Sequence, residues 1–441
     1  KNNRNMILFS LPWNKNKNII FLFLIILLSR ILFLSVSPSF FDSLEYLRLF
    51  NLPSLNEALR QAHYPIHPLW ITIGWLFNKI PISTTLFKIG LLNGILGTLS
   101  CWFIYRIAIR WFDKNKAMLL TLICAFLPYF WLSQTNILYE PLLGVFLLGS
   151  FWFLRESVAG ILFAGAFLVS PTALFYLIFF AGFSLKKEQL GRLGLLGGLG
   201  IFLGTIGYLS ILRLRGIPAG EIFLVLSAGN SILEKIKLEG VMFFVRGIRN
   251  SAVVYFEYLT IPLGIVLSYL GILSCLGKKR RGLIIFWIIA FFFLNTVWHA
   301  GMYGRLSLFL FIPPVFLLGR FSEKVLKLIL IFIVITSAVI VLPYRFQKTP
   351  YVLEKEYLES NWKEKAPLLV ISNYEEPYLK ENFEVLVLNS PMTKLKDVKG
   401  KIEDELKDGR IVLMTSQAVT APYFQYDGMN YQILSKRKNY S

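Results

Sequence analysis

The sequence predicts a polytopic α-helical membrane protein, with about eleven membrane helices followed by a small C-terminal α/β domain. Three observations predict it. Of the 441 residues, 55% are hydrophobic, 16% aromatic and only 16% charged, with a mean hydropathy of +0.59, whereas soluble domains carry about 25% charged residues. Apolar runs of span length alternate with short loops in which Lys and Arg collect. Beyond residue 347 the pattern changes to short apolar runs separated by amphipathic ones.

The formal charge of +20 is a topology signal, with no nucleic-acid partner implied. From Tyr351 onward there are 13 Lys/Arg against 14 Asp/Glu, so the basic excess lies in the loops between apolar runs. Cys101, Cys124 and Cys275 all fall inside apolar runs, too few for a disulfide framework or a Cys-rich metal site. No small-residue cleavage site follows the first apolar run, so that run is expected to be a retained span.

The first span covers residues 19–37, with Arg30 its only charge, and Lys1, Arg4, Lys15 and Lys17 place its start in the cytoplasm. The first outer loop is then 38–84. Inside it, 65–80 is apolar but short, has Pro68 in its first turn and carries Trp70 and Trp75. A span there would send Arg106, Arg110, Lys114 and Lys116 outside, so this helix is expected to lie in the outer interface.

Residues 85–107 then cross inward, 117–131 outward and 137–154 inward. The run 160–184 is broken at Ser170-Pro171, and its basic or polar flanks suit two half-length helices that enter and return on one side. Residues 193–212 cross outward, and 213–251 form a long outer segment. Residues 252–276 return to Lys278-Lys279-Arg280-Arg281, 283–298 cross outward, 306–318 inward and 328–342 outward.

The expected domains are therefore a membrane domain over 1–346 and an extracytoplasmic α/β domain over 347–441. In the latter, 368–371, 383–388 and 411–414 read as strands, and 375–382 and 394–407 as helices. It carries no G-x-G-x-x-G, P-loop or metal motif, and no chemistry is assigned to it.

The polar residues on the outer side carry the functional signal. Asp42 and Glu45 stand three apart in Phe40-Phe41-Asp42-Ser43-Leu44-Glu45-Tyr46, so on a helix they share a face. Carboxylates among aromatic rings at a membrane surface suit general-base work; a solvated acidic loop is the plain alternative. His63 and His67 could ligate a metal with Asp42 or Glu140, or serve as interfacial amphipathic rings. Glu140, in Asn136-Ile137-Leu138-Tyr139-Glu140-Pro141, opens a span and is expected to face the bundle interior, against the alternative of an ordinary interfacial carboxylate. Arg305, with His299 and Tyr303, opens another span from outside, where a guanidinium suits bidentate binding of a phosphate. Arg213, Arg215, Lys235, Lys237, Arg246 and Arg249 offer a basic outer face for an anionic lipid or acceptor, although for each one singly solvation suffices.

These motifs resemble the GT-C superfamily of polyprenyl-phosphate-sugar glycosyltransferases over about the first 340 residues. That group includes protein O-mannosyltransferases, aminoarabinose transferases and the mannosyltransferases of GPI assembly. Phe41-Asp42-Ser43-Leu44-Glu45-Tyr46 resembles the family's acidic first outer loop, and His67-Pro68-Leu69-Trp70 its H-P-P-L-Y-like element. Tyr139-Glu140-Pro141 is similar to the second acidic residue at the fourth span, and residues 299–314 to the late H/R-Y turn before an L-P-rich span. Two departures stand out: one Pro after His67 where many relatives have two, and Ser before Pro171 where Lys or Arg is common.

The resemblance implies inverting transfer of a mannose-like hexose or pentose, outside the plasma membrane, from a polyprenyl-phosphate donor to a glycan, lipid or protein acceptor. It implies Asp42, Glu45 and Glu140 as catalytic residues, and His67, His299, Tyr303 and Arg305 as substrate or lipid-phosphate ligands. A divalent metal is left open, with Asp42, Glu140 and His67 as candidate ligands. Membrane lipids are the remaining expected partners. The competing classes are a transporter or flippase, which would place ionisable residues near mid-membrane, and a polysaccharide ligase or polymerase, which would lean on Arg and His in a late outer loop.

Overall fold

The computed structural model describes residues 17–38, 41–62, 66–154, 156–176, 187–221, 236–237, 239–276, 281–297, 304–372, 376–380, 382–388 and 395–415. The chain forms two units, one comprising the residues up to Ser35 with Leu49–Arg345, the other Val36–Arg48 with the residues from Phe346 on.

The first unit is helical. It begins with α1 (Lys17–Leu32) and takes in the last residues of α2 (Phe41–Phe50). Then follow α3 (Leu55–Gln61), α4 (Pro68–Asn78), α5 (Thr85–Ala108), α6 (Lys114–Ala125), α7 (Pro128–Thr135), α8 (Glu140–Trp152) and α9 (Val158–Val169). The rest is α10 (Lys187–Arg215), α11 (Val241–Leu259), α12 (Ile261–Leu276), α13 (Arg281–Val297), a 3-10 stretch Gly304–Phe311, α14 (Ile312–Leu317) and α15 (Glu323–Phe346). Their starts follow local chemistry. Ser54, Thr84 and Asp113 cap α3, α5 and α6 by accepting a backbone N–H one turn on. Proline occupies the first turn of α4, α7 and α8, where a missing N–H costs nothing.

Helix α5 is the hub, packing against α1, α4, α6, α7 and α8. Its glycines make that approach feasible. A Cβ on Gly97 would stand 2.4 Å from Cδ of Gln134, and one on Gly94 would stand 3.2 Å from Cβ of Arg30. Arg30, the lone charge of the first predicted span, is fully buried. Its Nε donates to Gln134 Oε1 at 2.7 Å, one terminal nitrogen to Ser29 Oγ at 2.8 Å, and the other to the Ala125 carbonyl at the end of α6. The guanidinium also lies over the rings of Phe126 (5.2 Å) and Trp131 (5.7 Å).

Several predicted spans are shorter or broken. Among the described residues, three helices are long and apolar enough to cross a membrane by length and composition, or up to five if each bent pair is one span. The predicted span 117–131 is two helices, α6 and α7, meeting at 67°; the predicted 252–276 is broken at Thr260, where α11 and α12 meet at 111°. Continuous hydropathy hid both breaks. Pro128 disfavours helix at Leu127 before it, and Pro262 takes the second position of α12, where its missing N–H costs nothing. The first half of the predicted helix pair over 160–184 is α9, ending at Ser170; residues 177–186 lie outside the described residues.

The second unit contains α16 (Pro350–Trp362), β1 (Leu368–Ser372), α17 (Glu376–Leu379), β2 (Glu384–Leu388), α18 (Leu395–Lys407) and β3 (Val412–Met414). The strands form a parallel sheet in the order β2-β1-β3, with Leu368 opposite Glu384 and Val412. This is the strand and helix succession expected from the sequence, with α16 in addition. Leu369 and Ile371 of the central strand pack with Leu358, Leu379 and Phe383 to form the core.

At the sheet edge, Glu384 pairs with Arg410 at 2.9 Å and Lys401 at 3.5 Å. The Arg410 hydrogen bond is the main cause that holds its carboxyl below the usual range. A lowered folded-state pKa means that this support is present above the unfolded carboxylate range and is lost as pH falls through the lowered value. Glu384 is nearly half exposed, so the contribution is small. Glu384→Gln is expected to lower the thermal stability of this unit slightly at pH 7, and the difference should vanish once the pH has fallen below the lowered value.

Candidate active site

The start of α8 is fixed from the side by α5. Asn93, fully buried, donates from Nδ2 to the carbonyls of Asn136 (2.6 Å) and Leu138 (2.8 Å), and Ser100 Oγ donates to the carbonyl of Pro141 (3.1 Å). The run before α8 and the first turn of α8 are thereby pinned on both sides of Glu140. Glu140 takes the first position of α8, where the unpaired N–H groups of a helix start favour a negative charge. Only 1% of it is exposed, so its carboxylate faces the protein interior as the sequence reading expected.

His67 stands at the N-cap of α4 and is buried. Its Nδ1 lies 2.7 Å from the carbonyl of Val169, the last residue of α9. A carbonyl can only accept, so Nδ1 carries a hydrogen and donates it. The break at Ser170-Pro171 leaves that terminal carbonyl outside the helical ladder and makes it available to the imidazole. The His67 ring stacks on Tyr139, with centroids 4.0 Å apart and planes at 20°. Close by, Tyr208 of α10 donates its hydroxyl to the Ile66 carbonyl at 3.0 Å, and the hydroxyls of Ser170 and Thr172 share a hydrogen bond of 2.8 Å. Residues 66–67, 139–140 and 169–172 thus converge, although the sequence separates them by up to about a hundred positions. His67→Phe keeps the stack and removes the hydrogen bond. It is expected to cost about 1–3 kcal/mol in thermal or denaturant unfolding, and His67→Ala, which also loses the stack, should cost more.

On another side, Tyr258 is sandwiched between Tyr129 (4.5 Å, 19°) and Phe311 (4.6 Å, 12°). The Tyr129 hydroxyl donates to Glu257 at 3.2 Å, and Tyr176 packs edge-on against Phe309. At the break just beyond Glu257, Thr260 adopts φ 65°, ψ 153°, a strained conformation for a β-branched residue. The sequence reading missed Tyr129, Tyr176, Tyr208, Glu257 and Tyr258. The one available signal was Glu257, an acidic residue in an apolar run three positions before Thr260-Ile261-Pro262.

Of the predicted site residues, Glu140 and His67 are brought together through Tyr139. Asp42 and Glu45 belong to the second unit, on α2, at 9% and 5% exposure. Both oxygens of Glu45 are engaged by Arg48, at 2.6 Å and 2.9 Å, so this carboxylate is committed to an ion pair. Arg305 is the second residue of the 3-10 stretch, and its side chain lies outside the described residues, as do His63, His299 and Tyr303. Among the described residues no three His, Cys, Asp or Glu side chains cluster as a metal site. Asp42 belongs to a different unit from Glu140 and His67, and no step is routed through a divalent ion.

The fold is similar to that of an oligosaccharyltransferase from Archaeoglobus fulgidus. In the crystal structure of its apo form the TM-score is 0.53 at 14% sequence identity, covering 86% of this chain and 65% of that one. In the crystal structure of its complex with zinc and sulfate the TM-score is 0.50 at 15% identity, covering 84% and 62%. The chain thus spans less than two-thirds of the length of those chains. At such identities the likeness is one of fold alone. No family model and no curated protein matches the sequence.

Proposed function

We propose that this protein is an integral-membrane glycosyltransferase that moves a sugar from a polyprenyl-phosphate donor to an acceptor hydroxyl on the extracytoplasmic side, with inversion. The observation that carries the reading is the oligosaccharyltransferase-like fold with a buried carboxylate, Glu140, at the position where the family motif expects an acidic residue.

In this mechanism Asp42 takes the proton of the acceptor hydroxyl while its oxygen attacks the anomeric carbon. The bond from that carbon to the donor phosphate breaks, and the electron pair leaves with the polyprenyl phosphate. Arg305 holds the phosphate and stabilises its growing charge, so no dedicated general acid is required. Glu140 is the second catalytic carboxylate of the proposal. His67, His299 and Tyr303 contribute to substrate binding. The sugar is a mannose-like hexose or a pentose, and the acceptor a glycan, lipid or protein.

The test is transfer of label from synthetic polyprenyl-phosphate mannose or arabinose by the purified full chain, with candidate acceptors, with and without chelator. Labelled product of inverted configuration supports the proposal. Absence of transfer from every donor, with lipid flipping or solute uptake in proteoliposomes, would replace it with a transporter.

A further inference from the structure

The C-terminal unit received no role from its sequence, yet it includes Val36–Arg48, the segment that carries Asp42 and Glu45. Contacts separated by about three hundred residues hold that segment. Thr349 is the N-cap of α16, followed by Pro350, an arrangement in which the cap hydroxyl ordinarily accepts from the first turn of its own helix. It does not do so here. Its hydroxyl donates to the Pro38 carbonyl at 3.1 Å, and its backbone N–H donates to Ser37 Oγ at 3.1 Å. Thr349 and Ser37 are both buried. One turn into α2, Leu44 packs on the core formed by Leu358, Leu369, Ile371, Leu379 and Phe383. Asp42 sits between these two fixings, in the first turn of α2. A helix start clasped on one side and pinned on the other has little freedom to rotate its side chains.

We propose that the C-terminal α/β unit is a positioning device for the first-loop helix, and that Thr349 is a positioning residue acting on Asp42 through Ser37 and Pro38. The inference rests on the glycosyltransferase reading for its catalytic consequence; the clasp itself does not. A sheet domain of this kind needs no substrate contact to matter. It sets where the base stands, and a catalytic group displaced by an ångström loses much of its advantage.

The experiment uses the full chain in detergent or nanodiscs with Thr349→Val, Thr349→Ser and Ser37→Ala. Hydrogen exchange of amides 41–48 is one readout. The other is kcat and KM for transfer from a short-chain polyprenyl-phosphate-linked sugar. Thr349→Val and Ser37→Ala should speed exchange of 41–48 by about fivefold to tenfold, leave 85–108 unchanged, and lower kcat at constant donor KM. Thr349→Ser, which keeps the hydroxyl, should restore both. Unchanged exchange in the Val and Ala variants overturns the clasp whatever happens to turnover. Faster exchange with unchanged kcat in an active protein overturns the positioning role and leaves the transferase reading standing. A wild-type chain that transfers no sugar overturns that reading and the catalytic half of this one, while exchange still decides the clasp.

Discussion

Asp42→Asn is expected to slow sugar transfer by about 10²- to 10⁴-fold while the protein still folds and inserts. Asn matches Asp in shape but cannot accept the acceptor's proton, so the substitution removes the base and little else. The position tolerates it structurally, because Asp42 lies in the first turn of α2, where a short polar side chain serves the unpaired N–H groups well. Size-exclusion profile and thermal unfolding should therefore stay close to wild type, and kcat at saturating donor should fall. Glu45→Gln is the control. It breaks the two-pronged pair with Arg48, whose side chains are 6% and 16% exposed, and should cost about 1–3 kcal/mol of stability, with a smaller effect on turnover. A near-normal kcat in Asp42→Asn would remove this carboxylate from the mechanism. A larger kcat loss in Glu45→Gln than in Asp42→Asn would exchange their roles.

The two carboxylates were visible in the sequence because they interrupt an apolar background; their surroundings were not. Local patterning reaches as far as the next turn or strand. It therefore found β1, β2, β3 and the helices between them, where short runs such as Leu368–Ser372 are bounded by polar segments. It found Pro68 in the first turn of α4 for the same reason. It read through Phe126 and Thr260, since hydropathy continues across both breaks and only the prolines at 128 and 262 mark them. It also passed over Thr349-Pro350, a sufficient signal for the start of α16. What no pattern could supply is partnership at long range. Val169 as the acceptor for His67, Tyr129 as the partner of Glu257, and residues 36–48 as part of the C-terminal unit all depend on which surfaces meet after folding. The candidate site consists largely of such pairs, so its residue types were more legible than its geometry.

Gln134→Leu is expected to destabilise the helical unit by about 2–4 kcal/mol, and by more than Arg30→Met does. At first sight the order should be reversed, since the arginine makes more contacts. Burial decides it. Arg30 is fully inside the unit, and its charge is tolerated because Gln134, the Ala125 carbonyl, Ser29 and two aromatic faces surround it. Removing Gln134 leaves the cation in place with one strong acceptor fewer, at a site where water cannot substitute. Arg30→Met removes the charge together with its desolvation cost, keeps most of the volume, and leaves only neutral groups short of a donor, for a net loss of about 0–2 kcal/mol. The double variant should then resemble Arg30→Met alone, giving a coupling of about 2–4 kcal/mol in a double-mutant cycle of chemical unfolding; simple additivity would show that the two side chains do not depend on each other. Gly97→Ala should reproduce part of the Gln134→Leu loss, because the new methyl would stand 2.4 Å from Gln134 Cδ and drive the amide off the guanidinium. Activity should fall in the same order as stability. The arginine ties the end of α6 to α7 across their 67° bend, and α7 leads directly into the run, pinned by Asn93, that sets Glu140 in place.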